Sequence, residues 1–342
     1  MKRLVALLAL LMLLTVGSVT AQSTPSGTIT LYTSESESDV NTLITRFNEI
    51  YPDITVNVFR SGSGEVVARL QAEREAGAIQ ADLLWFADID YINILAEDDL
   101  LLEFVPNLPA GLDEEGVAAA EEALQAFRYL DNRAFEVRLI FNVVAYNTTL
   151  VSDIPTSWKD LLRPELNGMV GMPSALYSGA AFNQVGTFIN LEDFGWEFYE
   201  ALRDNNVVVE RGNGGVSTKL ANGEFAMAQI VDFFVRRAAQ NGSPVAHIWP
   251  EEGALLVPTP ITIMKDSQNV DAAKAFVDFL FTPEAQNTFV ELGYIPLMPG
   301  TELPAGTPDM ADLVIIQPDL ENIRANRELI RTRFTELFGT SE

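Results

Sequence analysis

Cysteine is absent from the 342-residue chain, and histidine occurs once. Without cysteine there is no disulfide, no thiolate metal site and no thiol nucleophile, and a Ser-His-Asp triad or a His-rich zinc centre would have to be built on His247 alone. Basic residues are also scarce: 22 Lys and Arg stand against 48 Asp and Glu, a net charge of -26 with no basic cluster. Such a surface repels a phosphate backbone and an anionic bilayer, which argues against nucleic acid or lipid as partners. No GxSxG elbow, no P-loop ending in GK[ST], no dinucleotide fingerprint, no short repeat and no heptad run is found.

What is present is a water-soluble composition, 48% apolar, in a chain longer than one typical core, so two lobes or domains are expected. The one long apolar stretch, Leu4 to about Val16, follows Lys2 and Arg3 and precedes Val19-Thr20-Ala21. This is the pattern of a cleaved secretory signal over residues 1–21, its apolar core being shorter than the ~20 residues of a spanning helix. Removing Lys2 and Arg3 leaves 20 basic and 48 acidic residues, 20 - 48 = -28. No cysteine follows the cleavage point, so a soluble periplasmic or extracellular product without a lipid anchor is expected.

Beyond that segment the periodicities alternate. Thr28 to Tyr32 reads as a strand, Leu43, Ile44, Phe47 and Ile50 lie on one helical face, and Ile54 to Phe59 reads as a second strand. Ser61 to Gly64 turns into a helix from Glu65 to about Ala76, and Ala81 to Phe86 is a third strand. Strands alternating with helices predict a parallel α/β sheet whose ligands lie beyond the carboxyl ends of the strands. Val137 to Tyr146, Gly168 to Met172 and Phe225 to Val231 predict a second sheet, with helices at Ala180–Phe188 and Thr218–Asn222. Leu255 to Ile263 is an extended segment suited to carry the chain back to the first lobe, before helices over Val270–Phe281 and Pro283–Leu292. The resulting division is lobe 1 over 26–136 with 258–300 returning to it, lobe 2 over 145–250, and a C-terminal helical segment over 301–342.

Hydroxyls and glycines recur in turns that follow strands: Thr33, Ser34 and Ser36; Ser61, Ser63 and Gly64; Ser174, Tyr177, Ser178 and Gly179; Gly215 and Ser217. Each turn has two readings, a helix cap or a set of N–H and O–H donors for an anion at the positive end of a helix. Their recurrence in both lobes favours an inter-lobe cleft. Asp88 and Asp232 are candidate contacts at strand ends, with capping or a surface carboxylate as the alternative. Tyr177 and Phe233 are candidate pocket aromatics, and Arg60, Arg138 and Arg211 candidate counter-charges. His247 reads as a structural residue.

Several segments, in this order, resemble the periplasmic solute-binding proteins of ABC importers, in the branch of ferric-iron, phosphonate, sugar-phosphate, thiamine and polyamine binders. They are Thr30-Leu31-Tyr32-Thr33-Ser34, Gly62-Ser63-Gly64-Glu65, Ala81-Asp82-Leu83-Leu84-Trp85, Ala145-Tyr146-Asn147-Thr148, Pro155 to Leu162, Ser178-Gly179 and Ala273-Lys274-Ala275-Phe276. The resemblance implies a two-lobed type II periplasmic-binding-protein fold, no catalysis and no cofactor, a small-molecule solute and an inner-membrane ABC permease as partners, and a monomer. Ferric binders of this branch use a Tyr-Tyr pair, which here falls on Phe233-Phe234, and their His and Glu positions fall on Ser36 and Ala87. Phenyl rings do not coordinate Fe(III), so an organic anion such as a phosphonate or sugar phosphate is expected, with iron as the alternative and no metal site assigned. An aminoalkylphosphonate or sugar phosphate would also present a cationic or hydroxyl end, for which Asp232 is the candidate partner. A secreted α/β hydrolase and a surface adhesin are the readings from other classes.

Overall fold

The computed structural model describes residues 24–339. The expected signal segment, 1–21, lies outside the described residues.

The chain begins with β-α-β units. Strand β1 (Gly27–Thr33) leads into helix α1 (Glu37–Ile50), whose Val40, Leu43 and Phe47 are buried on one face. Strand β2 (Ile54–Arg60), helix α2 (Ser63–Glu75) and strand β3 (Leu83–Trp85) follow, with β1 parallel to both β2 and β3. Helices α3 (Ile89–Glu97) and α4 (Glu114–Ala126) precede the short strands β4 (Arg128–Tyr129) and β5 (Ala134–Phe135).

The chain then crosses to the second lobe. After β6 (Arg138–Leu139) comes β7 (Phe141–Asn147), which is buried at every residue, as a central strand covered on both faces must be. Lobe 2 continues with β8 (Val170–Pro173), α5 (Gly179–Phe188), α6 (Gly195–Asp204), β9 (Val208–Glu210), α7 (Asn213–Ala221), β10 (Met227–Val231), α8 (Asp232–Gln240), β11 (Val245–Ile248) and β12 (Ala254–Leu256). Strand β13 (Ile261–Ile263) returns to lobe 1, antiparallel to β3, before α9 (Val270–Leu280), α10 (Pro283–Glu291), β14 (Ile295–Pro296), β15 (Ile315–Ile316), α11 (Leu320–Ala325) and α12 (Arg327–Phe338).

Lobe 1 is thus a six-stranded sheet in the order β2-β1-β3-β13-β5-β4. Lobe 2 carries β15-β12-β7-β10-β8-β9, with β11 also on β7. The two crossings lie side by side: the Val257 N–H donates to the Ile140 carbonyl at 3.0 Å, and the Thr259 N–H donates to the Glu136 carboxylate at 2.7 Å. The Trp85 indole N–H, from lobe 1, donates to the Thr259 carbonyl at 3.0 Å. These bonds fix the hinge end of the cleft.

Two elements differ from expectation. The helix expected over Thr218–Asn222 starts at Asn213, because extended Gly212 (φ -153°) serves as its N-cap and the glycines thought to form a turn enter its first turn. The C-terminal stretch is two helices that touch both lobes. Ile323, Ile330 and Phe334 are buried in the lobe 2 core, while Arg324 and Arg327 reach Glu97, Asp88 and Asp90 of lobe 1.

Candidate functional site

Between the lobes lies a cleft of about 280 Å³, at the small end of the range for metabolite pockets. Four helices point their N-termini at it: α1 behind Ser36, α2 at Gly62-Ser63, α5 at Ser178-Gly179 and α7 at Gly212 to Gly214. First-turn N–H groups have no acceptor within their own helix, and the dipole favours negative charge there. Two guanidinium groups add to this field. Arg60, at the end of β2, donates through Nε to the Glu35 carbonyl at 2.9 Å and through Nη1 to the Tyr177 hydroxyl at 3.3 Å. Arg211 lies over the Tyr177 ring, 4.2 Å from its centroid, and pairs with Glu65 at 2.5 Å. The Ser61 hydroxyl and Arg211 hold the Glu65 carboxyl below the usual carboxylate range.

Both arginine contacts cross the cleft, since Arg60 and Glu65 belong to lobe 1 while Tyr177 and Arg211 belong to lobe 2. The Gly64 N–H also donates to the Tyr177 carbonyl, at 3.4 Å. A Cβ at Gly179 would lie 2.0 Å from the Ala87 carbonyl oxygen, and one at Gly64 would lie 2.3 Å from that of Leu176. The lobes are closed on each other, and glycine is what lets their backbones come so near.

Of the residues singled out in the sequence, Ser34, Ser36, Ser63, Tyr177, Ser178, Gly179, Gly215 and Phe233 line the cleft. Ser63 is 2% exposed, and its hydroxyl has no partner among the described residues. Phe233 stacks on Tyr294, with ring centroids 4.1 Å apart, and forms an apolar wall with Phe234 and Ile140. The Asn213 amide donates to the Ser178 hydroxyl at 3.2 Å, joining the α5 and α7 ends.

The other candidates lie off the cleft, each for a local reason. Thr33 is fully buried, and its hydroxyl donates to the Trp85 carbonyl at 2.7 Å, holding the loop instead of facing it. The Ser61 hydroxyl is taken by Glu65. Gly64 serves lobe contact, Ser174 is fully buried and accepts from the Leu176 N–H at 3.2 Å, and Ser217 lies inside α7, past its first turn. Asp88 caps α3 and pairs with Arg327 at 2.6 Å. Asp232 is fully buried, accepts from the Phe141 N–H at 3.0 Å and pairs with Arg236, so it has nothing to offer a ligand. His247 is largely enclosed, and burial pushes its pKa down to about 4.

Gly214, in the fourth candidate turn, also lines the cleft, and among the cleft residues that the turn pattern passed over are Glu35, Gly212, Asn213 and Thr259. Of the three arginines weighed as counter-charges, Arg60 and Arg211 line the cleft, whereas Arg138 is fully buried behind it. Arg138 pairs with Glu35 and donates to the Thr259 hydroxyl. Glu35 and Glu136 both face Arg138, and burial raises both carboxyls, Glu136 to about 8.

Comparison with known proteins agrees with this architecture. A protein of Salmonella paratyphi A named "Putative 2-aminoethylphosphonate-binding periplasmic protein" is 27% identical over 254 residues, covering 70% of this chain and 68% of the relative. The solved structure of the periplasmic binding protein AfuA from Actinobacillus pleuropneumoniae, with fructose-6-phosphate bound, superposes with a TM-score of 0.78 at 22% identity, covering 92% of this chain and 99% of that one. Iron-bound HitA from Pseudomonas aeruginosa superposes with a TM-score of 0.71 at 21% identity, covering 91% and 99%. The fold is therefore that of the type II periplasmic binding proteins. The profile of the bacterial extracellular solute-binding proteins matches residues 42–316, and this chain belongs to that family of binding proteins, which are not enzymes.

Proposed function

We propose that this chain is exported by cleavage after Ala21, captures a small organic phosphonate or phosphate in the inter-lobe cleft, and delivers it as a monomer to an ABC permease in the inner membrane. The observation that carries the choice of solute is the convergence of four helix N-termini with Arg60, Arg211 and the unpartnered Ser63 hydroxyl on one small space. Charge-assisted hydrogen bonds from N–H, O–H and guanidinium donors are the usual recognition of a tetrahedral oxyanion. The aromatic wall of Phe233 and Phe234 suits an organic substituent on that anion. The Salmonella relative's assignment and the fructose-6-phosphate bound to AfuA support the same solute class. Iron is disfavoured by the donor set: among the described residues, Glu35 is the only Asp or Glu lining the cleft, and no cluster of three or more Asp, Glu, His or Cys able to hold a metal occurs.

Thermal unfolding of the chain from Gln22, stripped of ligand and screened against aminoalkylphosphonates, sugar phosphates, ferric citrate, polyamines and thiamine, tests this. A true solute at a hundredfold excess over its Kd stabilises the folded state by about 2.7 kcal/mol. Phosphonates or sugar phosphates should raise the melting temperature. A shift with ferric citrate alone would overturn the proposal.

A further inference from the structure

Where α2, α5 and α7 converge on the cleft, the hydrogen bonds settle which atoms are left to donate and which to accept. The Ser178 oxygen accepts from the Ala181 N–H at 3.3 Å, as the cap of α5, and from the Asn213 side-chain amide at 3.2 Å. Asn213 cannot be turned round to reverse the second bond, because its carbonyl oxygen accepts from the Val231 N–H at 3.2 Å. A hydroxyl has two lone pairs and one hydrogen. Both lone pairs of Ser178 are therefore occupied, and what it presents to the cleft it lines is its hydrogen alone.

Ser63 extends the pattern. Its oxygen, nearly buried and without a partner among the described residues, lies so close to Gly179 that a Cβ there would stand 2.7 Å from it. This hydroxyl can accept a hydrogen from a ligand only by leaving its own without an acceptor, which is costly in a buried place. The first-turn N–H groups of the three helices are donors by nature. Across the cleft, the Ser34 oxygen accepts from the Ala87 N–H at 3.3 Å, and the Glu35 carboxylate is paired with Arg138. The converging helix ends thus offer hydrogens, and an oxygen that carries a proton of its own has no acceptor to meet there among the described residues.

Resting on the anion-binding reading above, we infer that Ser178 is a specificity-determining residue of the cleft, held as an obligate donor by the positioning residue Asn213, and that the anion subsite takes fully deprotonated oxyanions, organic sulfates and sulfonates as well as dianionic phosphates. To reject a sulfur anion of the same tetrahedral shape, a site needs either an acceptor for the proton that only the phosphorus oxygens hold near neutral pH, or a strict demand for the second negative charge. These helix ends supply no such acceptor among the described residues. Their positive field favours the dianion without excluding a monoanion.

Titration calorimetry at pH 8 and pH 5 with propyl phosphate and propyl sulfate, two esters of one length and shape, tests this. The second pKa of a phosphate monoester is about 6, so about nine-tenths of it carries a proton at pH 5, whereas the sulfate ester carries none. The unmodified protein should bind both, and the ratio of phosphate to sulfate affinity should fall about tenfold from pH 8 to pH 5. Glu35, Arg60, Glu65, Tyr177 and Arg211 around the cleft, and Asp88 and Asp232 behind it, are common to both ligands and cancel in the ratio to first order. Asn213→Asp keeps an acceptor for the Val231 N–H but sets a carboxylate oxygen against Ser178, whose hydrogen turns to it and leaves its oxygen facing the cleft. At pH 5, where the esters carry about one charge each and the new carboxylate repels them alike, this variant should raise the ratio at least about tenfold, because the protonated phosphate gains a partner that the sulfate cannot use. Failure of propyl sulfate to bind where propyl phosphate does, a ratio that stays constant from pH 8 to pH 5, or a ratio at pH 5 unmoved by Asn213→Asp each overturns the assignment while leaving the anion site standing. Should the variant not fold, the two ratios of the unmodified protein decide. If neither ester binds but phosphonates do in the thermal screen, propylphosphonate and propane-1-sulfonate take their place with the same outcomes. Failure of every phosphonate and phosphate would instead sink the anion-binding reading on which this one rests.

Discussion

Replacing Gly179 with alanine places a methyl group where the two lobes meet. Its Cβ would lie 2.0 Å from the Ala87 carbonyl oxygen and 2.7 Å from the Ser63 hydroxyl, whereas ordinary van der Waals contact begins at 3.4 Å. The lobes must therefore part by at least 3.4 - 2.0 = 1.4 Å at this point, since one of the clashing groups is backbone and has no rotamer to change. A displacement of that size takes the Gly64 N–H, already 3.4 Å from the Tyr177 carbonyl, out of bonding range, together with the 3.3 Å contact between Arg60 and the Tyr177 hydroxyl. A ligand gripped from both sides would keep its bonds to one lobe and stretch those to the other. Losing one or two charge-assisted bonds costs about 3 kcal/mol, or ~100-fold in affinity. The lobe carrying the substitution should not suffer. Gly179 is the first residue of α5 and does not occupy the left-handed region, so alanine there is neutral or stabilising by up to about 1 kcal/mol. Calorimetry with the solute found in the thermal screen measures the affinity, and small-angle scattering with and without it measures compaction. Binding within threefold of the unmodified protein, with the same compaction, would refute the view that glycine at this position is what permits closure.

Two further outcomes follow from buried charge. Arg327 makes three bonds of 2.6–3.0 Å to Asp88 and Asp90 of lobe 1 from a helix seated on lobe 2, and lies 5.0 Å from the centroid of the Phe182 ring. Arg327→Met keeps the packing but leaves two nearly buried carboxylates short of a partner; Arg324 still reaches Asp90 at 3.5 Å. A loss of about 2–3 kcal/mol is expected in denaturant unfolding, most of it recovered by adding Asp88→Asn; a change under 0.5 kcal/mol would mean the clasp is decorative. His247 behaves differently. Burial, then the charge of Arg236, push its pKa from 6.5 in the unfolded chain to about 4 in the folded one. Between those values the unfolded state holds the extra proton, so stability present above pH 6.5 falls as pH drops to about 4, by about 3 kcal/mol. His247→Asn should remove that fall, read as the difference between variant and unmodified protein at pH 7 and pH 4.5. Glu136, whose pKa is raised to about 8, contributes the opposite slope, but it is common to both proteins and cancels.

The alternation of Thr28 to Tyr32, the helical spacing of Leu43, Phe47 and Ile50, and the return of this pattern through Trp85 identified the α/β units from sequence alone, because strand and helix periodicities are local properties. So did the placing of hydroxyl and glycine turns at the carboxyl ends of strands. Which hydroxyl in each turn meets the cleft was not local. Thr33 and Ser34, Ser61 and Ser63, Ser174 and Ser178 carry the same chemistry a few residues apart, yet only the second of each pair lines the cleft. The choice depends on what the opposing chain already occupies. The acidic residues show this most plainly. Asp88 and Asp232 stand at strand ends as a binding residue would, but Arg327, 239 residues away, claims the first, and Arg236 with the Phe141 N–H claims the second. Glu35 passes in sequence for one more acidic residue at a helix start, and it lines the cleft paired with Arg138, 103 residues on, which reaches it from the crossing strand and also faces Glu136. Sequence determines periodicity and cap chemistry; the partner of a buried charge comes from distant parts of the chain, and only folding brings them together.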